Sequence, residues 1–112
     1  MAKFERENMA EDAMERFNAM SEFDQLAVEA IVETGVYNLE EALEIVKNED
    51  YEFYPEISSL TDLARKFVRE ELHDNPKALR KLKYYIDYEK IAADLYRDNY
   101  RETSLGVVQI PW

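Results

Sequence analysis

Twenty-five carboxylates and a single histidine set the limits on what chemistry this chain of 112 residues can do. Glu49, Asp50 and Glu52 lie close enough in sequence to attract a divalent cation. They lack the ligand spacing and central glycine of an EF-hand loop, so they read as solvated surface. His73 stands in "ELHDNP" at a helix end, where a favourable interaction with the helix C-terminus accounts for it. Ser21, Ser58, Ser59 and Ser104 fall at caps or turns, and none occupies a nucleophile-elbow motif. The chain has no cysteine, which removes disulfides, thiolate zinc sites and thiol nucleophiles together. Pairs of carboxylates are unavoidable at this density, so two neighbouring acids carry little catalytic meaning. The expectation is a protein that is no enzyme and takes neither metal nor cofactor.

What the acids can do is make a field. Residues 1–56 hold 16 acids against four bases, a net of −12, and residues 57–112 hold nine acids against ten bases, a net of +1. A half charged in this way repels nucleic acid and attracts basic surfaces, including surfaces built to hold nucleic acid. Solubility alone would also account for it. The acids do have an order. After Ser21, Glu22, Glu29 and Glu33 fall in one outer strip of a helix, opposite its apolar residues, and Glu40, Glu41 and Glu44 share the exposed side of the next. Duplex DNA carries a charge about every 1.7 Å of axis, so two or three such helices side by side could approximate a phosphate row where one could not.

The elements that must carry these acids are legible as helix starts and stops. Met9, Ala13, Phe17 and Met20 form a loose helical stripe within residues 3–20. Ser21 with Asp24 predicts an N-cap, and Phe23, Leu26, Ala27, Ala30 and Ile31 recur at helical steps until Gly35. Asn38 with Glu41 repeats the pattern before Leu39, Ala42, Leu43 and Val46. Tyr51, Phe53 and Ile57 alternate with acids and predict a strand, which Pro55 must end or confine to an edge. Ser59 with Asp62 caps a further helix through Phe67, Pro76 opens a short one through Leu82, and Asp87 caps a third with Tyr88, Ile91, Ala92 and Leu95 inward. That third helix lies in "KYYIDYEKIAADLYRDNY", residues 83–100, a tyrosine-laden helical stretch holding five of the eight tyrosines. The tail "LGVVQIPW" predicts a glycine turn and a strand.

The sum is an α+β protein, mainly helical and elongated. A small acidic helical subdomain, residues 1–50, precedes a subdomain of residues 51–112 with a small antiparallel sheet and about three helices. No apolar run approaches the roughly 18–20 residues of a membrane span, and the N-terminus is too charged for a signal peptide. A soluble, cytoplasmic protein is expected.

Two stretches sharpen the functional reading. "NLEEALEIVKNEDYEFYPEISSLTDLARKFVREEL", followed by the tyrosine stretch, resembles the C-terminal two-thirds of the ArdA antirestriction proteins, over about residues 21–110. The resemblance rests on an acidic helix, an aromatic strand, an "S-x-x-D-x-A" helix at Ser59–Ala64 and a "Y-x-D-Y-E-x-x-A-x-D-L" helix from Tyr85 to Leu95. It implies a DNA mimic that occupies the DNA groove of a Type I restriction–modification enzyme, with no direct binding of nucleic acid or membrane. It also implies an elongated chain of small subdomains and a homodimer contact within residues 51–112. Family members generally carry a further N-terminal α/β subdomain, and this chain is expected to start near the central helical part. Because the run Lys77, Arg80, Lys81 and Lys83 would spoil a mimic face, the mimic surface is placed on residues 22–56. Its members are Glu22, Asp24, Glu29, Glu33, Glu40, Glu41, Glu44, Glu49, Asp50 and Glu52. The alternative is a generic acidic interaction module without mimicry.

Overall fold

Each helix begins where a side-chain oxygen can satisfy a backbone N–H that the helix itself leaves free. The computed structural model describes residues 11–111. Residues 11–18 are helical and form α1. Ser21 Oγ accepts from the Asp24 N–H at 3.2 Å to start α2 (Glu22–Glu33). Asn38 and Glu41 make a reciprocal capping box at the head of α3 (Leu39–Lys47). A short strand β1 (Glu52–Tyr54) follows and stops at Pro55, as the missing donor requires. Ser59 caps α4 (Leu60–Glu71), Asn75 caps α5 (Pro76–Leu82) with Pro76 in its first turn, and Asp87 caps α6 (Tyr88–Arg97). The α+β class and the capping positions read from the sequence are those found.

Two expectations need correction. The strand at Tyr51 does not reach Ile57, because Pro55 ends the pairing and the chain turns. Nor does the tyrosine stretch stay helical to Tyr100. Asn99 takes a left-handed backbone with φ 68°, which asparagine tolerates better than most residues, and the chain reverses there. Tyr100 then starts a strand, β2 (Tyr100–Thr103), which forms a tight hairpin with β3 (Gly106–Gln109).

The sheet has the order β1-β3-β2 and is antiparallel throughout. Its central strand is covered on both faces. Val108 joins Ala27, Val28, Ala30, Ile31, Ala42, Leu43 and Phe53 in a core shared with the helices α1 to α3. Val107, one residue earlier and so on the opposite face, joins Leu63, Ala64, Leu95 and Tyr100 in a core under α4 and α6. Both valines are fully buried. The result is a helical layer, a thin sheet and a second helical layer. The Cα radius of gyration is 17.7 Å, against roughly 13 Å for a compact domain of this length, so the molecule is elongated.

Gly106 marks the tightest point between strands. Its φ is +135°, and a Cβ there would lie 2.4 Å from the Tyr54 carbonyl oxygen and 2.8 Å from Pro55 Cα. Those are backbone atoms of the neighbouring strand and cannot move aside cheaply. Gly35, with φ +79°, has nothing within 4 Å of that position. Gly106→Ala is therefore expected to destabilise by about 2–4 kcal/mol, and Gly35→Ala by only about 1–2 kcal/mol of backbone strain. Urea denaturation of the two variants checks the difference, and equal losses would contradict the close approach.

Candidate functional site

The ten acids expected to face a partner fall into three groups around the helical layer. Glu22 and Glu29 are exposed and lie two turns apart on α2, with Glu33 closing the same strip. Glu33 is more than surface charge. Its carboxylate accepts from the Ser104 N–H at 2.7 Å and from Ser104 Oγ at 2.8 Å, gripping the tip of the β2–β3 hairpin.

The second group lies between α3 and α1. Glu40 and Glu44 line a cleft of about 270 Å³ with Asp12, Ala13 and Arg16. Arg16 Nη2 donates to Glu44 Oε1 at 2.7 Å. Glu41, on the same helix, is engaged in the capping box, its Oε1 3.1 Å from the Asn38 N–H. Asp12 was not among the residues expected here. Its spacing of four from Arg16 was the available signal.

The third group gathers where α3 runs into β1. Asp24 and Glu49 both act on the half-buried Tyr51, whose hydroxyl is pushed up first by burial and then by these two charges. Glu49 adopts φ 56° in the turn, and Asp50 and Glu52 line a shallow pocket with it, closed by Gln109, Ile110 and Pro111. Glu52 faces the second core: its Oε2 accepts from Tyr100 Oη at 2.5 Å and from Tyr54 Oη at 3.3 Å.

Six of the ten acids, Glu22, Asp24, Glu29, Glu40, Glu49 and Asp50, thus make no side-chain hydrogen bond or ion pair among the described residues apart from those of the caps. They present uncompensated charge. Glu33, Glu41, Glu44 and Glu52 also hold the fold. Among the described residues no three histidine, aspartate or glutamate side chains gather in a way that could hold a metal ion. None of the described helices is long and apolar enough to cross a membrane. The chemistry on offer is electrostatic attraction of a basic surface.

Beside the Glu29–Glu33 strip lies an apolar groove of about 400 Å³ lined by Met14, Phe17, Val28, Val32 and Leu39. On the other half of the molecule, Tyr84 and Tyr85 are 81% and 85% exposed, with Leu82 and Tyr96 also on the outside.

A family model described as antirestriction protein (ArdA) matches residues 2–109. The match begins well before residue 21, so the likeness also covers α1 and is wider than the two quoted stretches implied. No curated protein sequence matches the chain.

The Glu52 contacts generate a pH test. Burial first, then the hydrogen bond to Glu52, raises the Tyr100 hydroxyl far above its usual range; burial and the Glu52 charge push Tyr54 up to about 12. A tyrosine whose folded pKa exceeds its unfolded one stabilises the fold fully below pH ~10 and loses that contribution as pH rises toward 12. Wild-type stability in urea should therefore fall steeply across that alkaline window. Tyr100→Phe should cost about 1 kcal/mol at neutral pH but show a flatter alkaline decline. An unchanged slope in the variant would mean that Tyr100 is not the group responsible.

Proposed function

We propose that this chain, which belongs to the ArdA family of antirestriction proteins, works as a DNA mimic that occupies the DNA-binding groove of a Type I restriction–modification enzyme. The observation that carries the reading is the placement of charge. Residues 11–56, which also carry a net of −12, place their helices on one side of the sheet, and their acids line the outside of α1, α2, α3 and the entry to β1. A groove that holds DNA is lined by lysine and arginine, and bound counterions leave it when phosphates dock. Carboxylates at neighbouring helical positions can take the same partners, with the same dependence on salt.

In this reading residues 1–50 form the acidic helical subdomain and residues 51–112 the scaffold. The scaffold also supplies a homodimer contact, for which the exposed Tyr84, Tyr85 and Tyr96 are suited, since tyrosine is enriched at the cores of protein interfaces. The protein works in the cytoplasm, where incoming DNA meets the enzyme, and touches neither nucleic acid nor membrane with its acidic face. It needs no catalysis. A second reading, an acidic interaction module that docks through apolar contact, is favoured by the groove at Met14, Phe17, Val28, Val32 and Leu39.

Salt separates the two. Mimicry requires that the protein compete with duplex DNA for a Type I enzyme at low salt and lose affinity as salt rises, whereas apolar docking is nearly indifferent to it. Glu22→Lys, Glu29→Lys and Glu40→Lys together leave the caps and the Arg16–Glu44 pair intact. They are expected to weaken competition by tenfold or more, roughly, while the paired control Glu71→Lys with Asp94→Lys changes it little. A DNA methylation assay with purified enzyme reads both effects. Absence of inhibition at low salt, or equal losses in the two sets, would sink the mimic.

A further inference from the structure

A cleft with a positive lining lies between α4 and α5, on the half of the chain that follows the acidic one. It has a volume of about 690 Å³ and is lined by Arg65, Lys66, Arg69 and Lys83, with Glu56 and Asp62 at its edge and Ile57, Leu79 and Tyr88 as its apolar surface. Four cations against two carboxylates leave the lining at +2, in a chain whose total is −11. The cations are placed by helix geometry. Arg65 and Arg69 stand one turn apart on the same face of α4, with Lys66 beside them. Lys83 is the C-cap residue of α5 and approaches from the other wall.

Three of the four already have a partner, Lys83 through its Nζ 5.0 Å from the centre of the exposed Tyr84 ring. Arg65 Nη1 donates to Asp62 Oδ1 at 2.9 Å and its guanidinium lies 5.3 Å from the centre of the Tyr88 ring. Lys66 pairs with Glu70. Arg69 and Lys83 make no ion pair among the described residues. A guanidinium and an ammonium that line one cleft and pair with no carboxylate are the groups that grip a phosphate, the first through its fork and the second as a point charge. The floor adds a second requirement. Ile57, Leu79 and the Tyr88 ring offer flat apolar contact that an inorganic anion cannot use, and the volume lies within the range of small-molecule sites.

We propose that this cleft binds an organic phosphate of nucleotide size, with its phosphates on Arg69, Lys66 and Lys83 and its planar ring against Tyr88, Ile57 and Leu79. The site is separate from the acidic surface and stands whether or not that surface mimics DNA. The sheet lies between the two, and exposed charges more than a Debye length apart, about 10 Å at moderate salt, act nearly independently. The same chemistry is available from a free nucleotide or from a nucleotide within a single strand.

Isothermal titration of the full chain with ATP, inorganic tripolyphosphate, adenosine and a short oligothymidylate distinguishes these cases. ATP is expected to bind saturably at low salt, tripolyphosphate about tenfold more weakly, and adenosine not measurably. Arg69→Gln and Lys83→Gln should each weaken ATP by about tenfold, whereas Lys47→Gln on α3 should not. All three side chains are outside the buried cores, so thermal melts are expected to stay at the wild-type value and confirm that each variant is folded. An oligothymidylate that binds tighter than ATP, with the same dependence on Arg69 and Lys83, assigns the ligand to a strand. No binding of any probe, tripolyphosphate as tight as ATP, or indifference to both variants would overturn the proposal.

Discussion

A strand with no solvent-facing side holds this protein together. Val107 and Val108 are consecutive, point in opposite directions and are both fully buried, one in each core. A strand covered on both faces must be apolar without alternation, and "GVV" is the shortest run that meets the condition. The consequence is mechanical. The acidic helices and the basic helices do not touch the same surface, yet both lose their support if β3 leaves the sheet. Glu33 strengthens the linkage by holding the hairpin tip to the end of α2, across 71 residues of sequence. Glu102 does the same on the other side, its carboxylate accepting from the Leu60 N–H at 2.7 Å at the start of α4. Two acids from opposite halves thus fasten helix ends to the same hairpin.

Such an anchor matters because the acidic layer works against itself. Concentrating a net of −12 in 56 residues raises the energy of the compact state through repulsion. Position offsets part of it. Glu22 and Asp24 stand in the first turn of α2 and Glu40 and Glu41 in the first turn of α3, where the helix dipole favours negative charge. Arg16 takes up Glu44, and tyrosine hydroxyls from two strands satisfy Glu52. Glu29, Glu49 and Asp50 have no such relief, and their charge stays exposed to solvent.

How much of this could be read from the chain depends on the range of the interaction. Caps act over three residues, and Ser21, Asn38, Ser59 and Asp87 were all legible at that distance. The helix-to-strand change at Asn99 was not, because Tyr96 and Tyr100 keep a helical spacing on either side of it and only the left-handed turn breaks the run. Val28 was missed for a related reason. Periodicity assigns one inward face to a helix, but α2 is covered from more than one side, so a residue off the main stripe is fully buried. Nothing local marks Glu33 as a clamp, since its partner Ser104 comes from the far end of the chain. The acidic surface was visible as composition and helix-face spacing. Its division into three groups, and the share of it spent on holding the fold, needed the tertiary arrangement.

The same arrangement explains the tyrosine stretch, which composition alone made look like a binding surface. Tyr100 belongs to the core, packed edge-on against Phe67 at 6.1 Å. Three others carry a cation over the ring: Lys83 at 5.0 Å from Tyr84, Arg65 at 5.3 Å from Tyr88 and Arg101 at 3.8 Å from Tyr96. A ring face is attractive to a cation but leaves its charge intact, whereas a carboxylate partner would neutralise it. Lys83 and Arg101 are therefore positioned by tyrosine without cancelling their field, whereas Arg65 is also paired with Asp62. The second half is near neutral in total, yet four cations and two carboxylates line the cleft between α4 and α5. Of the five tyrosines in residues 83–100, one thus fills the core and three hold a cation against a ring face.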